Sequence, residues 1–453
     1  MNTSELALAE HLRALLAQGG TFTAQQLQAA TGKSQPSISL ALTKLGAVVC
    51  KLGAARSTRY ALAQPILGLP AQQTLTWTTP DGRLQNFGSL HFLQGGQVYV
   101  RHQMDADSKK GADWLSPSGQ LPWFLQSLRP QGFLGRQLTR LRPDFPADPD
   151  AWRVDQVLYM AINHAGDPPG ALQVGETKRH FVAEAAGSAP DQAAHFDTLA
   201  RAVTQTLPAA SSAGGEQPKF LTESVTPDGR HQHLIVKFSP PRGTPFGERW
   251  HDLLHLEHLA LAVLADHGVA VAPTHTVESN ERTYLVSERF DRVGLQGKRH
   301  VVPAAAVHDA FVPSPRQHWV ATCEALAAQK RLTQAQVDTV ASTYLFGQYI
   351  GNTDMHFGNL SFFVDDVLQP ALVPTPVYDM LPMLWRPGVY GGELDARPLQ
   401  PPAQPTGYAA LASLARAWAI HYWERAANLP TISAALRDAS GENAQRLRRG
   451  FTG

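Results

Sequence analysis

The stretch Gly351-Asn352-Thr353-Asp354-Met355-His356-Phe357-Gly358-Asn359-Leu360 decides how the rest of this chain is read. It sets the Asp354 carboxylate and the Asn359 amide five residues apart, next to a strand-like run, Leu360-Ser361-Phe362-Phe363-Val364. A second carboxylate, Asp379, follows about twenty residues after Asn359 in Pro376-Val377-Tyr378-Asp379-Met380. Phosphoryl transfer from ATP needs such a set. One carboxylate orients the attacking hydroxyl, and an amide with a further carboxylate holds magnesium on the phosphates. Magnesium is a hard cation that takes oxygen ligands, so Asn and Asp suit it better than His or Cys. Taken alone, the run serves equally well as a turn between helix and strand, because Asn-Thr-Asp is good turn chemistry.

Other stretches weigh against a simple turn. Leu234-Ile235-Val236-Lys237-Phe238 reads as a strand with a lysine among apolar neighbours, and the turn Thr226-Pro227-Asp228-Gly229 before it predicts a hairpin. A lysine on a rigid strand is what neutralises nucleotide phosphates in a kinase. Leu256 to Gly268 has helical spacing and ends on glycine. Glu257 on that helix either pairs with Lys237 or is a solvated glutamate. Upstream, Ser211-Ser212-Ala213-Gly214-Gly215-Glu216-Gln217-Pro218-Lys219 fits neither the Walker pattern nor Gly-x-Gly-x-x-Gly. Its small residues suit a loop that offers backbone N–H groups to phosphate, but composition alone favours a flexible linker.

Together these stretches resemble the HipA-type serine/threonine kinases of bacterial toxin–antitoxin systems, in a variant with a fused N-terminal DNA-reading module. The resemblance spans roughly residues 70–440 and rests on five segments in order. It implies an α+β, two-lobed protein-kinase-like fold. It implies a phosphate loop at Ser211, Ser212, Gly214 and Gly215, one serine of which is itself phosphorylated, and a phosphate-binding Lys237 positioned by Glu257. In Glu288-Arg289-Phe290-Asp291-Arg292 it implies that backbone groups of Glu288 and Phe290 face adenine. It implies a catalytic loop with Asp354, His356 and Asn359, His356 supporting the loop, and magnesium on Asn359 and Asp379. ATP and Mg²⁺ are the implied cofactors. The implied role is a growth-inhibiting toxin acting on a translation-related protein, such as an aminoacyl-tRNA synthetase, with an antitoxin partner or self-regulation.

Residues 1–65 read as a separate module. Leu8, Leu12 and Leu15 follow helical spacing. Thr23 and Gln26 predict a capping box, with Phe22 stapled to Leu27. Pro36 falls in the first turn of a second helix, where its missing N–H costs least. Ile38, Leu42 and Leu45 would face the core, leaving Ser37, Ser39, Thr43 and Lys44 outward. Val48 to Leu62 then alternates and turns at Gly53, like the wing of a winged helix-turn-helix. Six basic residues (Arg13, Lys33, Lys44, Lys51, Arg56, Arg59) stand against Glu5 and Glu10, a net +4 where the whole chain is +1. That concentration predicts DNA contact through Lys33, Gln35, Ser37, Ser39, Thr43, Lys44, Lys51, Arg56 and Arg59. A small docking module with a basic face is the other reading.

The 453 residues, 43% of them hydrophobic, suffice for two or three domains. The division expected is 1–65, then a kinase N-lobe over 66–290 and a mainly helical lobe over 291–453. Residues 66–183 mix strand-like runs (Leu75–Thr78, Gln97–Val100) with a helical one (Asp155–Ala161). Phe196, Leu199, Val203 and Leu207 predict a further short helix. No apolar run approaches membrane-spanning length and no hydrophobic leader is seen. Cys50 and Cys323 are the only cysteines, so a reducing cytoplasm is expected. His251, His255 and His258 share a helix face without His-Glu-x-x-His, a weak metal signal. Two rival functions stay open: a DNA-binding regulator whose kinase-like body senses nucleotide, and a nuclease using Asp354 and Asp379 to hold metal.

Overall fold

In the computed structural model, which describes residues 3–54, 57–103, 113–164, 167–176, 184–185, 189–205, 217–388, 396–400 and 407–449, helices begin where capping chemistry puts them. After α1 (Thr3–Leu16) and β1 (Phe22–Thr23), Thr23 caps α2 (Ala24–Thr31). Its hydroxyl accepts from Gln26 N, and the Gln26 side chain accepts from Thr23 N. Pro36 lies in the first turn of α3 (Gln35–Leu45). Leu12, Leu16, Leu27, Ile38 and Leu42 form a small core, with Phe22 and Leu45 packed against it. Ser37, Ser39, Thr43 and Lys44 stay exposed. Strands β2 (Val49–Leu52) and β3 (Arg59–Leu62) pair antiparallel, and β1 completes a sheet of order β1-β3-β2.

This hairpin packs on a second sheet. Strands β4 (Gln72–Thr78), β5 (Leu84–Leu93), β6 (Gln97–His102), β7 (Asp113–Leu115) and β8 (Leu172–Val174) run in the order β7-β6-β5-β4-β8. Cys50, Leu52 and Ala61 of the hairpin bury against Leu93 and Tyr99 of that sheet. The Tyr99 hydroxyl accepts from Gly53 N (3.2 Å), and Arg101 donates to the Lys51 carbonyl (2.5 Å). Helix α5 (Val154–Asn163) also belongs to this unit, whereas residues 132–137 of the short helix α4 (Gly132–Leu138) group with the following one.

The chain divides into two compact units, residues 1–131 with 138–180, and 132–137 with 181–453. The boundaries expected from the sequence, 65/66 and 290/291, fall elsewhere than this division. Position 65/66 lies inside the first unit, because the hairpin's apolar inner face needs Leu93 and Tyr99. The expected lobe over 66–290 splits near residue 180, because β4 pairs with both β5 and β8 and closes its own sheet.

In the second unit, β9 (Glu184–Ala185), β10 (Lys219–Val225), β11 (His231–Phe238), β12 (Thr274–Glu278) and β13 (Thr283–Glu288) form a sheet of order β12-β13-β11-β10-β9. The β10–β11 hairpin turns at Gly229 (φ 83°), as its sequence predicts. Helix α6 (Ala189–Gln205) covers the sheet, Phe196 meeting Phe220 and Tyr284. Helix α7 (Pro245–Asp266), capped by Thr244, follows the hairpin. Beyond a short ribbon, β14 (Arg292–Val293) with β15 (Gly297–Lys298), lie α8 (Ala304–Phe311), α9 (Trp319–Ala328), α10 (Gln334–Tyr349), α11 (Ala409–Ala427) and α12 (Ala434–Arg449). A small sheet joins β17 (Ser361–Val364) between β16 (Val301–Pro303) and β18 (Leu372–Pro374). Phe346, Tyr349, Trp385, Tyr422 and Trp423 fill the helical core together with Trp250, Leu253 and Leu256 of α7. The architecture is α+β.

Leu93 is fully buried, so Leu93→Ala is expected to destabilise the first unit by about 2–5 kcal/mol. Hydrogen exchange of the β2–β3 amides should accelerate. Unchanged exchange there would show that this cluster does not hold the hairpin.

Candidate active site

Strand alternation places Lys237. Leu234, Val236 and Phe238 point into the sheet core, so Lys237 projects from the other face of β11. Its ammonium is nonetheless buried, as is Glu257 on α7. Lys237 Nζ donates to Glu257 Oε1 at 2.6 Å and also to the Asp379 carboxylate. Glu257 therefore pairs with Lys237 and is not a solvated helix charge. Asp379 sits at φ 54°, the left-handed region that non-glycine residues seldom occupy. Such strain persists where surrounding contacts over-determine the backbone, commonly at functional sites.

One ammonium faces two carboxylates here. Burial disfavours the charged form of Lys237, but Asp379 and Glu257 outweigh it and hold its pKa above the ordinary value. Burial also opposes the charge on Asp379, yet Lys237 and then Lys219 bring its pKa down to about 2. Glu257 is pushed up, chiefly by burial, with Lys237 opposing and Asp379 adding to the shift. Lys219 lies directly across the hairpin from Lys237. Facing like charges repel, but both lysines look onto the same carboxylate pair.

The catalytic-loop stretch follows α10. Buried Asn352 ties it to the metal-binding candidate: its Oδ1 accepts from Asp354 N (3.0 Å), and its Nδ2 donates to the Asp379 carbonyl (3.3 Å). Asn359 Nδ2 donates to the Asp354 carbonyl at 2.8 Å. The Asp354 side chain remains 49% exposed, open to an incoming group. His356 Nδ1 accepts from Gly358 N (2.9 Å), which leaves the proton of a neutral ring on Nε2, and Nε2 stands 3.9 Å from Asp354 Oδ1. That separation is too long for a hydrogen bond. A Cβ on Gly358 would come within 2.8 Å of the His356 ring, so glycine permits this contact. Trp319 Nε1 donates to the His356 carbonyl (3.0 Å), and the Tyr378 hydroxyl donates to the Gly358 carbonyl (2.8 Å).

The Glu-Arg-Phe-Asp-Arg segment divides its labour. Glu288 gives its side chain to Arg230 and Gln232 and its N–H to the Pro273 carbonyl, so its carbonyl is the group left to consider for adenine. Phe290 packs on Tyr378 and Phe363. Arg289 holds Asp291 through two 3.0 Å bonds, and Arg292 adds a third at 2.6 Å, all buried. These three charges are structural.

The remaining sites are more scattered. Ser211, Ser212, Gly214, Gly215 and Arg56 lie outside the described residues. Lys33, Gln35, Lys51 and Arg59 are exposed on the first unit, while Lys44 pairs with Glu5. His251, His255 and Glu278 bring ligand atoms within 4.8 Å. However, His251 bonds the Thr283 hydroxyl and the Thr431 carbonyl, and His255 bonds Glu278. Both His251 nitrogens and His255 Nε2 are engaged, so they read as core histidines. Sequence reasoning missed Asn352, Lys219, Trp319 and Tyr378 as supports. Asn352 and Tyr378 lay inside quoted motifs, and Trp319 carried no signal.

The fold and site together define a kinase-like protein of the HipA type. The model of the HipA-like C-terminal domain matches residues 211–438, and that of the YjjJ-like toxin middle domain matches residues 69–182. Toxin YjjJ of Escherichia coli (strain K12) is 33% identical over 442 residues, covering 95% of this chain and 96% of that protein. The chain belongs to the YjjJ-like, HipA-related toxin family. The solved Shewanella oneidensis MR-1 HipA, from a complex with HipB and operator DNA, shares the fold at a TM-score of 0.51. The match covers 83% of this chain and 95% of that one at 17% identity. Among the described residues no helix is long and apolar enough to cross a membrane.

The depressed pKa of Asp379 gives a signed prediction. Its contribution to stability is fully present above the unfolded value near 4 and is lost as pH falls through about 2. In a carboxylate NMR titration, Asp379 should titrate near pH 2 and move upward in Lys237→Met. An unmoved titration would mean that Lys237 does not set it.

Proposed function

We propose that this chain is an ATP-dependent serine/threonine protein kinase that acts as a growth-inhibiting toxin. The observation that carries the reading is the Lys237–Glu257–Asp379 cluster. It is linked through Asn352 to the loop bearing Asp354 and Asn359. The oxygen donors of Asn359 and Asp379 suit Mg²⁺, a hard cation that needs few protein ligands; bound there, it would neutralise charge on the phosphates. Lys237, positioned by Glu257, neutralises nucleotide phosphates. Asp354, open to solvent, orients the substrate hydroxyl and takes its proton as the new O–P bond forms and the bond to the ADP leaving group breaks. His356 holds the loop through Gly358. A phosphate loop over Ser211–Gly215, with one serine self-phosphorylated, and adenine recognition at Glu288 and Phe290 complete the reading. A translation-related protein is the proposed substrate class, and an antitoxin is the proposed partner.

Purified protein with γ-labelled ATP and Mg²⁺ tests this. Label should pass to protein, and Asp354→Asn, Asp379→Asn and Lys237→Met should each lower transfer by at least 100-fold while the fold persists. Phosphate on Ser211 or Ser212 should be absent in purified Asp354→Asn. Tight ATP binding without transfer would point to a nucleotide sensor, and nicking of plasmid without ATP to a nuclease.

DNA binding by the first unit is the second part of the proposal, favoured by the exposed polar face of α3 beside exposed Lys33, Lys51 and Arg59. It is to be measured on the full chain, because the β2–β3 hairpin needs Leu93 and Tyr99. Affinity should fall steeply with salt as phosphate contacts release counterions. Lys51→Ala with Arg59→Ala should weaken all sequences alike, whereas Ser37→Ala or Thr43→Ala should shift sequence preference. Absence of a gel shift at low salt would make this module a protein-docking domain.

A further inference from the structure

The C-terminal end of α7 meets α11 through a pair of histidines outside the site described above. His267 caps α7, its N–H donating to the carbonyls of Val263 and Leu264. Its Nε2 stands 3.3 Å from Nδ1 of His421 on α11, and the two rings meet nearly at right angles (85°). Trp418, three residues before His421, stacks on the His267 ring at 17°. Arg425, four residues after His421, donates to Asp266 at 2.6 Å. Residues three and four apart share a helix face, so Trp418, His421 and Arg425 turn one face of α11 towards the end of α7. The indole steadies the His267 ring. His267 is exposed and His421 half-buried, so the facing nitrogens lie at the surface.

A direct bond between two neutral imidazoles needs a proton on one nitrogen and a lone pair on the other. Moving that proton to the second nitrogen of its own ring leaves two lone pairs facing each other. Two metal–nitrogen bonds of roughly 2.0–2.1 Å at a tetrahedral angle place their nitrogens about 3.3–3.4 Å apart. The observed 3.3 Å therefore asks only a small turn of each ring and no movement of either helix. Burial, and then His421, holds the pKa of His267 below its ordinary value, which favours the neutral ring that a ligand must be. Unlike His251 and His255 in the core, this pair stands where water can complete a coordination shell.

We propose that His267 and His421 bind a first-row divalent metal ion of the Zn²⁺ or Ni²⁺ kind, and that the ion clips the end of α7 to α11. Two protein nitrogens and water form the coordination shell. Imidazole suits such ions, whereas magnesium takes oxygen, so this site is chemically distinct from the one proposed at Asn359 and Asp379. The clip closes on the helix that carries Glu257. The proposal does not depend on the kinase reading, because binding is read without ATP.

The test is calorimetric titration of the full chain, free of any affinity tag, with Zn²⁺, followed by hydrogen exchange. Zn²⁺ should bind, excess Mg²⁺ should not displace it, and the melting temperature should rise with Zn²⁺ concentration. His267→Ala and His421→Ala should each weaken binding at least tenfold. His421→Gln keeps a hydrogen-bonding group but offers zinc a poor ligand, and it should weaken binding to the same extent. All three variants should melt close to wild type in metal-free buffer, since surface substitutions cost little. The amides of residues 264–268 should exchange more slowly once Zn²⁺ is bound. The proposal is overturned if Zn²⁺ does not bind, if excess Mg²⁺ displaces it, or if either alanine variant binds as well as wild type. It is also overturned if His255→Gln removes binding that the alanine variants keep, which would place the ion at His251, His255 and Glu278. Unchanged exchange of residues 264–268 at saturation overturns the clip.

Discussion

The buried ammonium of Lys237 is the constraint around which the second unit is organised. It draws together a strand, a helix and the segment after β18, with Glu257 twenty residues away along the chain and Asp379 142 away. Burying such charges costs several kcal/mol per ion, and apolar residues of similar volume would often stabilise as well or better. The cluster is therefore weak evidence of stability and stronger evidence of a task. Its balance points the same way: two carboxylates around one buried lysine leave a negative surplus in the pair's immediate surroundings, tempered by Lys219 across the hairpin. A cation-dependent phosphate site needs that arrangement.

The groups proposed for chemistry sit on loops, and the groups that hold them sit on or beside regular elements. Asp354 and Asn359 belong to a turn-rich stretch, whereas Trp319 opens α9 and Tyr378 packs against Phe290. Asn352 bridges the loop to Asp379 through its amide alone. Loops carry function where a rigid scaffold fixes them, and here the fixing is done largely by side chains that bond loop carbonyls. The left-handed backbone at Asp379 belongs to the same economy, since the neighbouring contacts hold a conformation that the residue would not choose.

The first unit shows a different dependence. Its second and third helices are started by local chemistry, the Thr23–Gln26 box and Pro36. Its hairpin is not independent: Cys50, Leu52 and Ala61 present an apolar face that Leu93 and Tyr99 cover. The exposed face of α3 is thus carried on a body that includes the five-stranded sheet.

Helix caps, hairpin turns and the alternation that turns Lys237 away from the sheet core were legible along the chain, because each depends on residues a few positions apart. The motif order also identified the family, and the ordering of Asp354, Asn359 and Asp379 supplied the candidate site. Three things were not legible. Asn352 looks like a turn residue until its amide is seen to span Asp354 and Asp379. Arg289, Asp291 and Arg292 sit in a motif that suggests binding, yet Asp291 bridges the two arginines in the interior. The division near residue 180 follows from β4 pairing with β8, almost a hundred positions away, which no periodicity records. Local propensity wrote the elements into the sequence. Which distant charges meet and where one core ends were decided by packing, because burial and pairing exist only once remote segments are brought together.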